Sequence, residues 1–244
     1  MQAIFPTWQV PTHIHAFTTT RTGGVSQTPF DSFNLGDHVG DEKSAVKTNR
    51  TLLVEKFHLP HSPLFLNQTH STKVITLPYS GDNIEADAVY TNQPHQVCAV
   101  MTADCLPVLF TNKQGNEVAA AHAGWRGLCD GILEETVKCF HTEPQNIIAW
   151  LGPAIGPKAF QVGKEVIEQF MQYDPQAEKA FQPDPAQKGK YLGNLYQIAI
   201  QRLNKLGITH ILGGEHCTFY EKALFFSYRR EGKTGRMASV IWFE

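Results

Sequence analysis

Neither sign of charge predominates in this 244-residue chain: 21 lysines and arginines stand against 23 aspartates and glutamates, a formal net charge of −2. Without a global positive field there is no general attraction to nucleic acid or an anionic membrane, and any bound anion must be held by a local cluster. No run approaches the roughly 20 apolar residues that span a bilayer, and the opening MQAIFPTWQV lacks a basic start followed by an apolar stretch. The expectation is a chain that is neither inserted in a membrane nor exported. Cys98, Cys105, Cys129, Cys139 and Cys217 are odd in number and lack framework spacing, which argues against a disulfide scaffold and for a reducing compartment, the cytoplasm. Internal repeats, low-complexity runs and linker-like shifts of composition are also absent. With 42% hydrophobic residues available for a core, the sequence reads as one domain over 1–244.

Several ready-made chemical signatures are missing too. There is no H-E-x-x-H and no C-x-x-C. His141-Thr142-Glu143 matches half of a nucleobase-deaminase signature, but the P-C-x-x-C half is lacking. EGKTGR fails as a phosphate loop because Ser227 stands where the first glycine is required.

What is present is a mixture of two periodicities. Short apolar runs bounded by turn residues, at 64–66, 73–77, 97–101, 107–111, 118–121, 147–151, 208–212, 224–228 and 238–243, read as strands. Helical spacing is clearest over 127–140, where Leu128, Ile132, Leu133, Val137 and Phe140 share a face. Further helices are expected near 42–57, 163–173 and 192–206, with Gly207 as the stop of the last, and the least structured stretch near 174–189. Strands outnumber helices and do not alternate with them strictly. The expected fold class is therefore α+β, mixed β-sheets layered with α-helices, rather than a doubly wound parallel sheet.

Among eleven histidines, context singles out two. His70, in NQTHST, lies among polar residues between strand-like runs, at a strand end or loop mouth. His122 closes VAAAH and precedes AGWRG, which turns the chain into a helix, a junction where α/β proteins often place reactive groups. Cys105, in MTADCLPVLF, stands at a corner beside Asp104 and is a less ordinary core filler than Cys98 or Cys139. Two imidazole nitrogens and one thiolate suit a tetrahedral zinc with its fourth position open to water or substrate. The spacing, 35 and then 17 residues, matches no compact zinc finger. With a weak methionine, such a centre would suit copper, and Met101 lies four residues before Cys105. A third reading makes Cys105 a nucleophile with His122 as its base. Asp104 is either a proton-transfer group or a brace of the corner.

Candidate anion holders form a second set. Arg21 sits in TRTGG, beside a permissive backbone; Arg50 lies on the 42–57 helix; Arg126 lies at a helix start, where free N–H groups favour anions. Arg229, Arg230, Lys233 and Arg236 crowd one turn.

TRTGGVSQTPFDSFNLGDHVGD, LNQTHSTKV, MTADCLPVLF, AAHAGWRG, WLGPAIGP and FFSYRREGKTGRMASVIWF resemble, in order and across nearly the whole chain, the YfiH-like family, also called laccase-domain or multicopper polyphenol oxidase proteins. TADCLPVL with HAGWRGL is highly specific. The resemblance implies an α/β/β/α-type sandwich, similar to certain toxin deamidase domains, with metal ligands at His70, Cys105 and His122. It implies a zinc-dependent purine nucleoside phosphorylase, releasing base and ribose 1-phosphate from adenosine, inosine or methylthioadenosine, with an adenosine deaminase side activity. Phosphate would be the co-substrate, Arg21, Arg50 and Arg126 its contacts or those of ribose, and Cys105, His122 and Asp104 the catalytic groups. The expected partners are thus nucleoside and phosphate, with no nucleic acid, membrane or protein partner. Two alternatives are a copper-dependent polyphenol oxidase and a Cys–His amidase editing peptidoglycan precursors. Laccase chemistry moves four electrons to oxygen, and a single His–Cys–His site has nowhere to store them. Departures from the family pattern are Ser71, where relatives usually carry Gly, and Gly193-Asn194-Leu195, where an acidic residue is common.

Overall fold

Side chains alternate across a strand, and this chain buries both faces of its strands, so its sheets must be covered on both sides. The computed structural model describes residues 2–244. Strands β1 (Ala3–Ile4), β2 (Ile14–Thr19), β5 (Cys98–Thr102) and β13 (Met237–Phe243) form an antiparallel sheet in the order β1-β2-β13-β5. A mixed sheet is built from β3 (Val74–Thr76), β4 (Ala88–Thr91), β6 (Leu106–Asn112), β7 (Val118–Ala123), β8 (Ile147–Leu151) and β12 (His210–Gly213), in the order β12-β8-β6-β7-β4-β3. Its outer pairs, β3 with β4 and β8 with β12, are parallel; the inner ones are antiparallel. A small third sheet joins β9 (Gln161–Val162), β10 (Phe181–Pro183) and β11 (Tyr191–Gly193).

Alternation sorts the core into layers. In β7, Ala119, Ala121 and Ala123 pack with Leu128, Ile132 and Leu203 from α2 (Trp125–Asp130), α3 (Ile132–Lys138) and α5 (Leu195–Lys205). Val118 and Ala120, on the opposite face, pack with Val100 and Ile241 between the two sheets. Beyond the four-stranded sheet, Ala238, Val240 and Trp242 meet Leu53 of α1 (Lys43–Phe57). Helix, sheet, sheet and helices thus stack in the α+β arrangement expected, and α4 (Lys164–Tyr173) joins the outer helical layer through Val166 and Phe170.

The helix expected over 127–140 is two helices. Gly131 separates α2 from α3 with φ 107, a left-handed conformation that glycine adopts without a Cβ penalty. The helix expected over 192–206 starts only at Leu195, because residues 191–193 pair in the small sheet and the Asn194 side chain accepts from the Gln197 N–H at 3.2 Å as its cap. Stretch 174–189 contains a 3₁₀ turn at Pro175–Ala180 and β10. The runs at 64–66 and 224–228 are not strands; Phe225 and Phe226 are buried from a turn that leads into α6 (Tyr228–Glu231). β2 and β4 carry too many threonines and alanines to stand out as apolar runs.

The glycine-bearing segment before α1 wraps around Asn49, which is fully buried. The Asn49 amide donates to Ser26 Oγ (2.9 Å), Ser32 O (3.1 Å) and Asn34 O (2.9 Å), and its oxygen accepts from the Val25 N–H (2.9 Å). Asn49→Ala leaves these groups without partners and is expected to cost about 2–4 kcal/mol, read as a melting temperature lower by roughly 5–10 °C. An unchanged melting curve would refute this account.

Candidate metal centre

The β6–β7 register pairs Leu106 with Ala123 and Pro107 with His122. One step further, Cys105 faces Gly124 at the end of the ladder. His122 continues the Val118–Ala120 side of β7, so its ring enters the space between the two sheets. His70 arrives from another direction, on a loop docked to β5 by a side chain. The Gln68 amide donates to Met101 O and accepts from the Met101 N–H, both at 2.7 Å, in the manner of a neighbouring strand. One donor atom each from His70, Cys105 and His122 then lie within 4.8 Å of one another. His122 is buried and the other two are half-buried.

Asp87, just before β4, holds this convergence together. Its carboxylate is fully buried. Oδ2 accepts from the N–H groups of Thr69 (3.2 Å) and Ser71 (2.6 Å) and from Ser71 Oγ (2.7 Å). Oδ1 accepts from the His70 N–H (3.0 Å) and from His122 Nδ1 (2.8 Å). One carboxylate therefore fixes the loop carrying one histidine and the ring of the other. Burial works against its charge, but the bonds from His122 and Ser71 outweigh burial and lower its pKa to about 2. For His122, burial is likewise overcome, by the nearby Cys105 sulfur and by Asp87, and its pKa rises to about 9. His70 is pushed down by burial and by its cationic neighbours His122 and Arg126.

The residues fit a metal ion. Because His122 Nδ1 is bonded to Asp87, its Nε2 is the atom left to coordinate. His70 Nδ1 is buried with no hydrogen-bond partner, a state that costs free energy unless a ligand fills it. Gly124 leaves the necessary space: a Cβ there would overlap His70 Nδ1 and lie 3.1 Å from Cys105 Sγ. The mixed nitrogen and sulfur donors suit a transition metal.

Above this floor opens a cavity of about 470 Å³. Trp125, Phe160 and Tyr228 give it aromatic surface, and Arg126, Arg229 and Arg236 also line it. Asp104 is the one carboxylate on its wall among the described residues. The model matching residues 15–244 is that of a family described as multi-copper polyphenol oxidoreductase laccase. The chain belongs to this family. Among relatives of this laccase-family chain, the Haemophilus influenzae "Purine nucleoside phosphorylase" is 75% identical over 244 residues, 100% of both chains. "Purine nucleoside phosphorylase YfiH" of Escherichia coli K12 is 55% identical over 243 residues, 98% of both. The crystal structure of Neisseria meningitidis protein NMB0706 superposes with a TM-score of 0.95 at 44% identity, covering 100% of both chains. No helix among the described residues is long and apolar enough to cross a membrane.

Within this family member, the structure brings His70, Cys105, His122, Asp104 and Arg126 to one cavity but not Arg21 or Arg50. Arg21 is ion-paired with Glu231 at 2.8 Å. Arg50 lies over Phe65, 3.8 Å from the ring centroid, and donates to Leu35 O at 3.0 Å. Arg126 does start a helix, but one of only six residues, too short for an appreciable dipole. Asp104 has both oxygens engaged, by Thr218 Oγ1 and by the Arg229 N–H, each at 2.6 Å. Met101 packs in the layer toward α1, with Phe17 and Leu53. Asp87 and Gln68 were not singled out from the sequence, and Arg229 and Arg236 only as part of a crowded turn. For Asp87 the available signal was an acidic residue inside EADAVY, flanked by small apolar residues in a segment about to be buried.

Proposed function

We propose that the protein is a zinc-dependent purine nucleoside phosphorylase, acting on adenosine, inosine or methylthioadenosine with phosphate as co-substrate, and deaminating adenosine as a side activity. The observation that carries this reading is the convergence of His70, Cys105 and His122 at the floor of an aromatic- and arginine-lined cavity, with one imidazole nitrogen left unpartnered. The names of the Haemophilus influenzae and Escherichia coli relatives support it. So does the one cluster of metal donors among the described residues, which suits an open Lewis-acid site better than a chain of copper centres.

A bound zinc supplies Lewis acidity at the cavity floor. The rest falls to the chain. Asp87 holds the His122 ring and the backbone of the loop that carries His70. Trp125, Phe160 and Tyr228 offer faces on which a purine can stack, and Arg126 lies among them as a contact for phosphate or ribose. In phosphorolysis an oxygen of hydrogen phosphate bonds to C1′ as the bond from C1′ to the base nitrogen breaks; the base leaves with that electron pair and takes up the proton the phosphate gives up. Cys105 and His122 serve as ligands in this scheme. Asp104 braces the corner that presents Cys105, holding α6 against it through the Arg229 N–H. A reducing cytoplasm would keep the Cys105 sulfur from being oxidised and suits such a site.

The test is to incubate purified, zinc-loaded protein with adenosine or inosine, with and without phosphate, and to separate the products. Adenine and hypoxanthine together with ribose 1-phosphate are expected only when phosphate is present. Inosine from adenosine would report the side activity, and a chelator should abolish both. Absence of all these products after zinc loading would overturn the proposal. Stoichiometric copper in protein purified without added metal, with oxygen-dependent turnover, would replace it with the oxidase reading.

A further inference from the structure

The chain has seven arginines. Four are ion-paired with carboxylates: Arg21 with Glu231 and Asp31, Arg50 with Asp37, Arg202 with Glu134, and Arg230 with Glu231. The remaining three, Arg126, Arg229 and Arg236, form no ion pair among the described residues, and all three line the cavity above the metal donors. Each lies near an aromatic ring of the same cavity: Arg126 is 4.6 Å from the centroid of Trp125, Arg229 5.8 Å from Phe160, and Arg236 6.0 Å from Tyr228. Asp104 offsets one of these charges, and its two oxygens are bonded to Thr218 Oγ1 and the Arg229 N–H rather than to a guanidinium. The cavity wall therefore carries three guanidinium charges against one carboxylate, an excess that favours an incoming anion.

Arg236 is the most constrained of the three. Its N–H donates to Asn34 Oδ1 at 2.9 Å, and its Nη1 donates to Thr234 O and Gly235 O at 3.1 Å. Its stem runs against Gly36, where a Cβ would come within 2.8 Å of Arg236 Cγ. Nε and Nη2 are given no partner by the described residues, and these two atoms form the edge of a guanidinium that grips an oxyanion with two parallel bonds. Arg229 is held by its backbone to Asp104, and its Nη1 donates to Gln161 O at 3.0 Å. We propose that Arg236 and Arg229, assisted by Arg126, form an oxyanion subsite that takes a phosphate group through the free Nε–Nη2 edge of Arg236. As the seat of inorganic phosphate, the subsite rests on the phosphorylase reading above. The same chemistry would also hold the phosphate of a phosphorylated substrate.

The experiment uses zinc-loaded protein and the variants Arg236→Gln, Arg236→Lys and Arg229→Gln, with Lys138→Gln as an exposed charge-loss control outside the cavity. Metal content and melting curves are measured for each. Binding of inorganic phosphate is followed by calorimetry, and kinetics are read with phosphate and inosine varied separately. Losing a charge-assisted bidentate contact is expected to weaken phosphate binding, and raise its KM, by about tenfold to a hundredfold. The KM for inosine should move less than about twofold, and Arg236→Lys should recover only part of the loss, because an ammonium cannot reproduce the fork. Should Arg236→Gln fail to fold, the exposed Arg229→Gln still decides the matter. Unchanged phosphate affinity in the folded Gln variants would overturn the subsite even if wild type proves to be a phosphorylase. Phosphate binding that is lost in the variants, in a protein without phosphorolysis, would uphold the subsite and reject the reaction. Tighter binding of inosine 5′-monophosphate than of inosine, abolished in the same variants, would uphold it with the substrate as the source of the phosphate.

Discussion

Asp87→Ala is expected to abolish metal binding at the proposed centre and to remove much of the protein's stability, although Asp87 is not itself one of the proposed ligands. The substitution leaves three successive backbone N–H groups, those of Thr69, His70 and Ser71, and the His122 ring N–H without their acceptor inside the protein. Removing one member of a buried, hydrogen-bonded charged pair costs on the order of 3–5 kcal/mol, and the orphaned loop donors add to it. Asp87→Asn divides the two effects. Its amide oxygen can still accept from the loop, but its NH2 group cannot accept from His122 Nδ1, so the ring loses its tautomer and its aim. Metal affinity should fall about tenfold to a hundredfold while the fold persists. Zinc retention during dialysis against a graded chelator, beside thermal melting, reads both. Wild-type zinc retention in Asp87→Asn would show that the carboxylate does not orient the site.

Gly124→Ala should abolish metal binding with little loss of secondary structure. The backbone there, φ −60 and ψ 153, suits any residue, so alanine introduces no torsional strain. The methyl group is the whole perturbation. It would overlap His70 Nδ1, lie 2.6 Å from His70 Cε1 and crowd Cys105 Sγ. Either the His70 ring swings out of the site or the β7–α2 junction shifts, and in both cases the donors separate. We expect zinc affinity to drop by at least about a hundredfold, since one of the three proposed ligands is displaced, and turnover to fall with it. A far-ultraviolet circular dichroism spectrum matching wild type, with no zinc retained, is the expected pair of results. Full zinc occupancy in Gly124→Ala would mean that His70 does not coordinate through the face turned to Gly124.

The sequence carried the layers of this fold because period-2 and period-3.6 patterns report burial directly. Residues 147–151 form β8 over the length their apolar run suggests, and α1 fills the expected window. Patterning fails where a backbone device interrupts it. The 127–140 face is continuous in hydrophobicity, yet Gly131 divides it, and a glycine tolerated within a helix looks the same as one that ends it. The site divides in a similar way. The positions of His70, Cys105 and His122 at strand ends and a corner made them possible ligands, and the family resemblance made them the choice. Asp87 did not stand out, since a buried acceptor of five hydrogen bonds is written with the same letter as a surface carboxylate. Nor can an arginine in a sequence reveal its partner. Arg21 and Arg50 found carboxylates in the fold, at 2.8 and 3.6 Å, whereas Arg229 and Arg236 did not.

The Gln68 clasp on β5 has a consequence for the behaviour of the molecule in crowded solution. β5 is the last strand of its sheet, and an uncovered edge invites another chain to add to it. By occupying both the N–H and the C=O of Met101, the Gln68 amide blocks a strand from pairing at that residue of the edge. The loop that does this is the one that carries His70 and is gathered by Asp87. Damage to the site would therefore also free the Met101 edge groups for pairing with another chain.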